Sequence, residues 1–265
     1  MKLEELQVEI RPRSAGQTVA IAARMLQHRP GPILLAWLFY SAAVIALSAL
    51  LLVVWELHPV WCWLIVPVLA PLFSTPLVTT VGHLVFSPKV GFGVAARETI
   101  RRFFPFALLF VANRVIVLLG LGLLVVPGLY LWRSSWFLGP IVCLEGSSLG
   151  ASFRRGRRFA IGFHGHVLAH AANDAALLAY LALSLAWLLH FLNANVFGLS
   201  FAYLGNLTIL PAYYHMLGLC GFALAAPFVT LVWFFVYLDV RTRKEGWDLE
   251  LAFRARAAQL ERVRG

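Results

Sequence analysis

The chain has 265 residues, of which 61% are apolar and only 13% are charged. A soluble domain has about 25% charged residues, so this composition excludes one water-soluble core and indicates an integral membrane protein. The net charge of +10 would favour nucleic acid in a soluble domain, but here it lies beside apolar stretches and indicates anionic lipid headgroups as partners, and no nucleic acid.

The first 30 residues are predicted to be a cytoplasmic segment with an interfacial helix. Val19, Ala23 and Leu26 recur at the spacing of one helical face within residues 16–29. The N-terminus mixes both signs of charge and lies too far from the first apolar stretch for a signal peptide. The first span is therefore expected to remain in the mature protein.

Residues 31–239 are predicted to form an all-α transmembrane domain of six helices, arranged as three hairpins. The first span, residues 33–55, has no charged residue, and a helix of this length crosses a hydrocarbon core of about 30 Å. The second, residues 60–86, contains three prolines that are expected to kink the helix without ending it.

The third and fourth predicted spans contain polar interruptions. The third, residues 106–126, includes Asn113 and Arg114. The fourth is short, residues 129–144, and carries Arg133, which is expected to extend to the headgroups as an anchor.

The fifth span, residues 165–191, and the sixth, residues 216–238, complete the predicted domain. Residues 240–265 are predicted to form a C-terminal cytoplasmic amphipathic helix, because apolar residues recur on one face between Leu249 and Leu260. This helix is expected to lie along the cytoplasmic leaflet.

The positions of the basic residues predict the topology. Twenty of the 22 Lys and Arg residues fall at residues 2–29, 89–102, 154–158 and 241–264. Cytoplasmic loops are rich in Lys and Arg, and the three predicted outer connections have neither, so both termini are expected in the cytoplasm of a bacterial inner membrane. Each pair of spans follows a basic amphipathic stretch, and the arginines expected at the interface are Arg97, Arg101, Arg102, Arg154, Arg155, Arg157 and Arg158.

Arg114 and Asp174 are predicted to lie at matching depths inside the membrane. A charged group at the bilayer centre costs several kcal/mol unless it is paired or hydrated. Both residues lie about ten positions, or about 15 Å, inward from the cytoplasmic side. They are therefore expected to face each other, with Asn113 and Asn173 forming hydrogen bonds beside them.

A polar face follows the fifth span, where His166, His170 and Asp174 recur every fourth residue with Asn173 beside them. Such a face could join helices, line a proton or solute path, or serve a metal site or catalysis, and the sequence leaves these alternatives open. No zinc-protease, serine-hydrolase or phosphate-loop motif accompanies it, and the three cysteines are far apart in apolar surroundings. No catalytic residue, metal or other cofactor is predicted.

Two acidic corners are predicted where spans meet the cytoplasm. Glu145 is placed to pair with the arginines of residues 154–158, and Gly146 permits a sharp bend. After the sixth span, Glu245 begins a turn and Asp248 is placed to cap the final helix.

Residues 127–146 begin with Pro-Gly, continue as an apolar stretch with an arginine, and end in P-x-V-x-x-E-G before a basic helix. Together with residues 237–251 they resemble bacterial membrane proteins that carry the label glycerophosphodiester phosphodiesterase membrane domain. The resemblance covers the last half of the chain in motif and the first half in layout. That label comes from fusion to a soluble catalytic domain, for which this chain has no room, so the resemblance implies a compact six-helix bundle without phosphodiesterase activity that assists a membrane complex.

Three functions are left open. The first is a non-enzymatic structural, assembly or regulatory component with a membrane-protein partner. The second is a small transporter or channel with a polar path along Arg114, His170, Asn173 and Asp174, and the third is a membrane-embedded lipid hydrolase that uses His170 and Asp174. A hydrated cavity at Asp174 would favour transport, a His/Asp site open to headgroups would favour catalysis, and dry packing would favour the structural role.

Overall fold

The structure is a computed structural model, and it describes residues 14–86, 92–123, 128, 131–132, 135–145, 149–160, 164–198 and 212–245. Over these residues the regular secondary structure is entirely helical. Five helices are long and apolar enough to cross a membrane. The prediction of an all-α, multi-pass integral membrane protein is confirmed.

The helices of the described residues are interrupted by tighter and wider turns. In chain order the α-helices are α1 (Ala15–His28), α2 (Pro30–Ala49), α3 (Pro59–Leu69), α4 (Thr75–Phe86), α5 (Phe92–Leu123), α6 (Leu138–Pro140), α7 (Leu149–Ala160), α8 (His164–Leu192) and α9 (Ala212–Glu245). A 3₁₀ turn joins α3 to α4, and π-helical turns follow α2, α6 and α8: these are Ala70–Ser74, Leu50–Val54, Ile141–Glu145 and Asn193–Phe197.

The five candidate spans correspond to the first, second, third, fifth and sixth predicted ones. They are Pro30–Val54, Pro59–Val85, Arg97–Leu123, Val167–Phe197 and Ala212–Lys244. The second combines α3 and α4 through the 3₁₀ turn, which contains Pro71. The α-helix therefore changes to a 3₁₀ turn near the prolines and then continues, as expected for a kinked span.

The predicted fourth span differs from a continuous helix over its described residues. We call the described residues between 128 and 145 the interrupted segment. The Ser135 hydroxyl donates to the carbonyl oxygen of Trp132 at 2.5 Å, and a turn follows before α6 begins. Pro140 has no N–H for the carbonyl of Trp136, and the indole Nε1 of Trp233 donates to that oxygen at 2.9 Å instead.

Helix α9 lies at the centre of the bundle. In the apolar 18-residue stretch of α9, 67% of the residues are buried, compared with 0% in the corresponding stretch of the span that contains α8. Pro227 leaves the carbonyl of Ala223 without its usual helical donor, and the Ser41 hydroxyl of α2 donates to that oxygen at 2.9 Å. On another side the ring of Phe137 stacks on Trp233, with 5.4 Å between centroids. Neighbouring elements thus satisfy the carbonyls that prolines leave free.

Helix α8 is peripheral and packs chiefly on α9. The contact is close because Gly221 has no side chain: a Cβ atom there would overlap the carbonyl oxygen of Ala182 and crowd Ala186. The outer face of α8 is apolar, with Leu183 and Trp187 exposed, as suits a helix that meets lipid. Cavities therefore flank α8 where it stands away from α3 and α5.

Two of the predicted basic amphipathic stretches form separate helices, α1 and α7, whereas residues 92–102 continue into the third span as part of α5. Helix α1 buries Thr18 and Ala22 and contacts α9. Helix α7 buries Ser152 and Phe159. The predicted C-terminal helix and Arg133 lie outside the described residues.

Candidate functional site

A cleft of about 370 Å³ lies between α5 and α8. Helix α9, the interrupted segment, the 3₁₀ turn at Ala70–Ser74 and α4 form its remaining walls. Its volume falls at the lower end of the ~300–1,000 Å³ that is typical of small-molecule sites. We call it the α5–α8 cleft.

Three polar residues from two helices meet at this cleft. Asn113 and Arg114 come from α5, and Asp174 comes from α8. Asn113 is only 1% exposed and Asp174 only 4%. Asp174 lies about 10 Å along its helix from Val167, and Arg114 lies about 14 Å from Leu123, so both are well inside their spans.

Hydrogen-bonding capacity at the cleft is left unused. Within the described part of the chain, Asn113 Oδ1, Arg114 Nε and Asp174 Oδ2 are buried and have no hydrogen-bond partner. The other carboxylate oxygen of Asp174 accepts only from Asn173 Nδ2, at 3.3 Å. Unpaired polar atoms are costly at membrane depth, so this arrangement needs a reason other than helix packing.

Arg114 and Asp174 line the same cleft without forming an ion pair among the described residues. The expectation of a shared location therefore agrees with the structure, but the expected direct pairing is wrong. The guanidinium of Arg114 instead lies 4.7 Å from the ring centroid of Phe110, a cation–π contact that offsets part of its desolvation.

The residues of the predicted polar face of α8 lie in different surroundings. His170 is buried, at 1% exposure, and does not line the cleft, whereas Asn173 is exposed and reaches Asp174 with its amide. The side chain of His166 lies outside the described residues. Within the described residues, no group of three His, Cys, Asp or Glu side chains is placed to hold a metal ion.

The aromatic wall of the cleft was not predicted from the sequence. Among the described residues that line the cleft, five are aromatic: Phe106, Phe110, Trp132, Trp136 and Trp233. Trp136 links the other two tryptophans through edge-to-face contacts, at 5.8 Å to Trp132 and 5.7 Å to Trp233. The four-residue spacing of Trp132 and Trp136 was the available signal, but tryptophans near a span end are also typical interface anchors.

A second charged cluster lies where the interrupted segment, α7 and α9 meet. Glu145, whose side chain is 11% exposed, lies 3.0 Å from Arg155 Nε and 3.7 Å from an Nη atom of Arg241. The Tyr237 hydroxyl donates to the same carboxylate at 2.5 Å. We call these four residues the Glu145 cluster. The ion pair with Arg155 agrees with the expected pairing of Glu145, whereas Tyr237 and Arg241 were not predicted.

The remaining predicted interface arginines are distributed along α5 and α7. Arg102 pairs with Glu98 at 2.7 Å. The others are exposed: Arg97, Arg101, Arg154, Arg157 and Arg158. Gly146, Asp248 and the side chain of Glu245 lie outside the described residues.

A larger groove of about 880 Å³ lies on the other side of α8, between α8, α9 and Trp63. Its walls are mainly apolar, with His190, Tyr214 and His215 toward one end. It shares Ala175 and Leu178 with the α5–α8 cleft, but the described residues that line it include no acidic residue and no arginine.

No family model, curated protein or solved structure matches this chain. Function therefore has to be inferred from the chemistry of the cleft itself.

Proposed function

We propose that this protein is a small membrane transporter that binds a charged ligand in the α5–α8 cleft. The observation that supports it is the set of unpartnered buried atoms on Asn113, Arg114 and Asp174 around an open volume. All three residues line the cleft, and a solute path gives a reason to keep two charged residues, Arg114 and Asp174, at membrane depth.

The two other candidate functions have less support. A purely structural role would need dry packing around Asp174, whereas Asp174 borders a cavity of about 370 Å³. A hydrolase that uses His170 and Asp174 would need both side chains at one site, but only Asp174 lines the cleft. Transport is therefore the better supported function.

The path of the interrupted segment supports one more membrane crossing besides the five candidate spans, namely the fourth in chain order. A Cβ atom on Gly120 would lie 3.1 Å from the Cα of Gly128, and one on Gly139 would lie 3.7 Å from the Phe106 ring. The segment thus runs antiparallel to α5 and reaches Glu145, beside Arg241 at the end of α9. This path supports six crossings in three hairpins.

The break in the helix of the interrupted segment also fits transport. Backbone without α-helical hydrogen bonds is tolerated at membrane depth only where protein covers it or a cavity receives it. Ser135 and Trp136 lie at the break and line the cleft. Discontinuous helices at a binding site are a common feature of transporters.

The location belongs to the same proposal. The exposed arginines of α7 and the basic stretch at the end of α9 support a bacterial inner membrane with both termini in the cytoplasm and anionic headgroups around them. The likeness of residues 127–146 to the membrane-domain family fits this location and stays a proposal.

Cysteine labelling tests whether water reaches the cavities beside Asp174. Ala175 lines both the α5–α8 cleft and the larger groove, whereas its neighbour Ala176 is exposed on the outside of α8 and lines neither cavity. Each is replaced by cysteine in a chain whose three native cysteines are alanine, and the protein in nanodiscs is treated with a positively charged methanethiosulfonate. This reagent needs a thiolate, which forms in water and not in lipid.

We expect Ala175→Cys to react and Ala176→Cys to stay unmodified. Failure of both positions to react would indicate dry packing around Asp174 and would overturn the transport proposal in favour of a structural role. Equal reaction at both positions would show that α8 does not face lipid and would contradict the proposed arrangement.

A further inference from the structure

We infer that the ligand of the α5–α8 cleft is an amphipathic zwitterion, with an ammonium group and an anionic group carried on an apolar body. The inference rests on the proposed function and names its substrate class. It follows from the charges, the hydrogen-bonding atoms and the walls of the cleft taken together.

The charges of the described residues that line the cleft balance. Among the lining residues that the structure describes, Arg114 is the one cation and Asp174 the one anion. They face one cavity without pairing, so each is available to a ligand group of opposite charge. A ligand with a single charge would leave the other residue buried without a counter-charge, which is unfavourable at membrane depth.

The acceptors of the cleft suit an ammonium group. The carboxylate of Asp174 and the amide of Asn113 line the cleft from α8 and α5. An ammonium group carries three donors and a full positive charge, so it suits a carboxylate with an amide oxygen nearby.

The guanidinium of Arg114 suits the anionic group. Arg114 lines the cleft, and its guanidinium carbon lies 4.7 Å from the ring centroid of Phe110. A carboxylate or phosphate accepts two parallel hydrogen bonds from such a group, which fixes its orientation as well as its position.

The walls select the rest of the molecule. Five aromatic rings and several aliphatic side chains surround the polar residues, with Ser74, Ser135 and Thr230 as the hydroxyl groups. Such walls favour an apolar or aromatic body, because a ligand with many hydroxyl groups would leave most of them unbonded. Two sources share the required chemistry: an amphipathic amino acid from water and the phosphoethanolamine head of a lipid from the bilayer.

The test is equilibrium binding to the full chain in nanodiscs of phosphatidylglycerol, which contain no zwitterionic lipid. The probes are L-phenylalanine, for the amino-acid source, and lysophosphatidylethanolamine, for the lipid source. Phenethylamine and 3-phenylpropanoate serve as matched probes, because each keeps the body of phenylalanine and only one of its two charges.

We expect saturable binding of at least one zwitterion. Asp174→Asn and Arg114→Gln should each weaken it by about tenfold or more, as for loss of a charge-assisted hydrogen bond. Arg101→Gln is the matched control, because Arg101 is an exposed arginine on the same helix, and it should leave binding unchanged. Which zwitterion binds identifies the source.

Several outcomes would overturn the inference. If neither zwitterion binds, or if phenethylamine or 3-phenylpropanoate binds as tightly as phenylalanine, the ligand is not a zwitterion of this class. If Ala175→Cys nevertheless reacts with the water-soluble reagent, the transport proposal survives that failure. Asp174→Asn is nearly isosteric, so the zwitterion can still be tested if Arg114→Gln fails to fold.

Discussion

The Glu145 cluster and the α5–α8 cleft both contain buried charged residues, but the buried carboxylate has several partners in the cluster and few in the cleft. The carboxylate of Glu145 accepts a hydrogen bond from the Tyr237 hydroxyl and lies within 4 Å of side-chain nitrogen atoms of Arg155 and Arg241. Asp174 receives one long hydrogen bond from the adjacent Asn173 and has an unpartnered second oxygen among the described residues. A buried charge with several partners stabilises the fold, whereas one with unused capacity is available to a ligand.

The packing of the surrounding helices explains this difference. At Glu145, the interrupted segment, α7 and α9 converge, so arginines from two helices reach one carboxylate. At Asp174, α8 stands away from α5 and a cavity separates the charged side chains. The comparison predicts that substitutions in the Glu145 cluster will mainly lower stability, whereas substitutions of charged residues in the cleft will mainly weaken ligand binding.

The largest expected loss of stability follows Glu145→Gln. Without the carboxylate charge, Arg155 and Arg241 both lose their ion pair with residue 145. Breaking a buried ion pair costs about 3–5 kcal/mol, and the partial exposure of both arginines lowers our expectation to about 2–3 kcal/mol. Unfolding by sodium dodecyl sulfate in mixed micelles measures it, and a loss below about 0.5 kcal/mol, the size of a surface pair, would contradict the structural role.

Gly221→Val is expected to act on the cleft and leave the Glu145 cluster intact. The added side chain would push α8 away from α9 at Ala182, at a cost of about 2 kcal/mol for overpacking. Gly122→Val is the matched control, because a Cβ atom at Gly122 meets no other atom within 4 Å. We expect the Gly221 variant alone to unfold earlier and to change the labelling of Ala175→Cys. Equal unfolding of the two variants would show that close packing at Gly221 is not what positions α8.

Tyr237→Phe tests a single hydrogen bond in the Glu145 cluster. Phenylalanine preserves the ring contacts with Phe137 and Phe159 and removes only the hydroxyl that donates to Glu145. Loss of a hydrogen bond to a charged acceptor should cost about 1–2 kcal/mol in the same unfolding measurement. In a chain that already carries Glu145→Gln, the same substitution should cost less, and equal losses in both backgrounds would show that the hydroxyl does not act through the carboxylate.

Much of the fold was predictable from sequence because membrane spans are local features. Length, hydropathy and the spacing of Lys and Arg were enough to locate five spans. The interrupted segment was harder: Ser135 and Pro140 are visible in the sequence, but the donor that satisfies the carbonyl of Trp136 lies 97 residues away, at Trp233. A break that depends on a distant partner cannot be recognised from local pattern.

The two charged sites show the same limit. Depth along the helices was enough to place Arg114 and Asp174 at one site, because helical rise is regular. Whether they touch depends on how α8 packs in the bundle, and tertiary contacts such as the close approach of α8 to α9 at Gly221 are not visible in the pattern of one helix. The partner of Glu145 on the next helix was predictable from proximity in sequence, but Tyr237, 92 residues away, was not.

The smallest expected change in stability, and the most decisive, follows Asp174→Asn. The amide can still accept the hydrogen bond from Asn173, and the substitution removes a buried charge that lacks an ionic partner among the described residues. Stability should therefore stay unchanged or rise by up to about 1 kcal/mol, the opposite sign from Glu145→Gln although both replace a buried carboxylate by an amide. Paired unfolding curves for the two variants measure this difference directly. A loss of about 2 kcal/mol in Asp174→Asn would mean that Asp174 stabilises the bundle as Glu145 does, and the distinction between a structural charge and a ligand-binding charge would not hold.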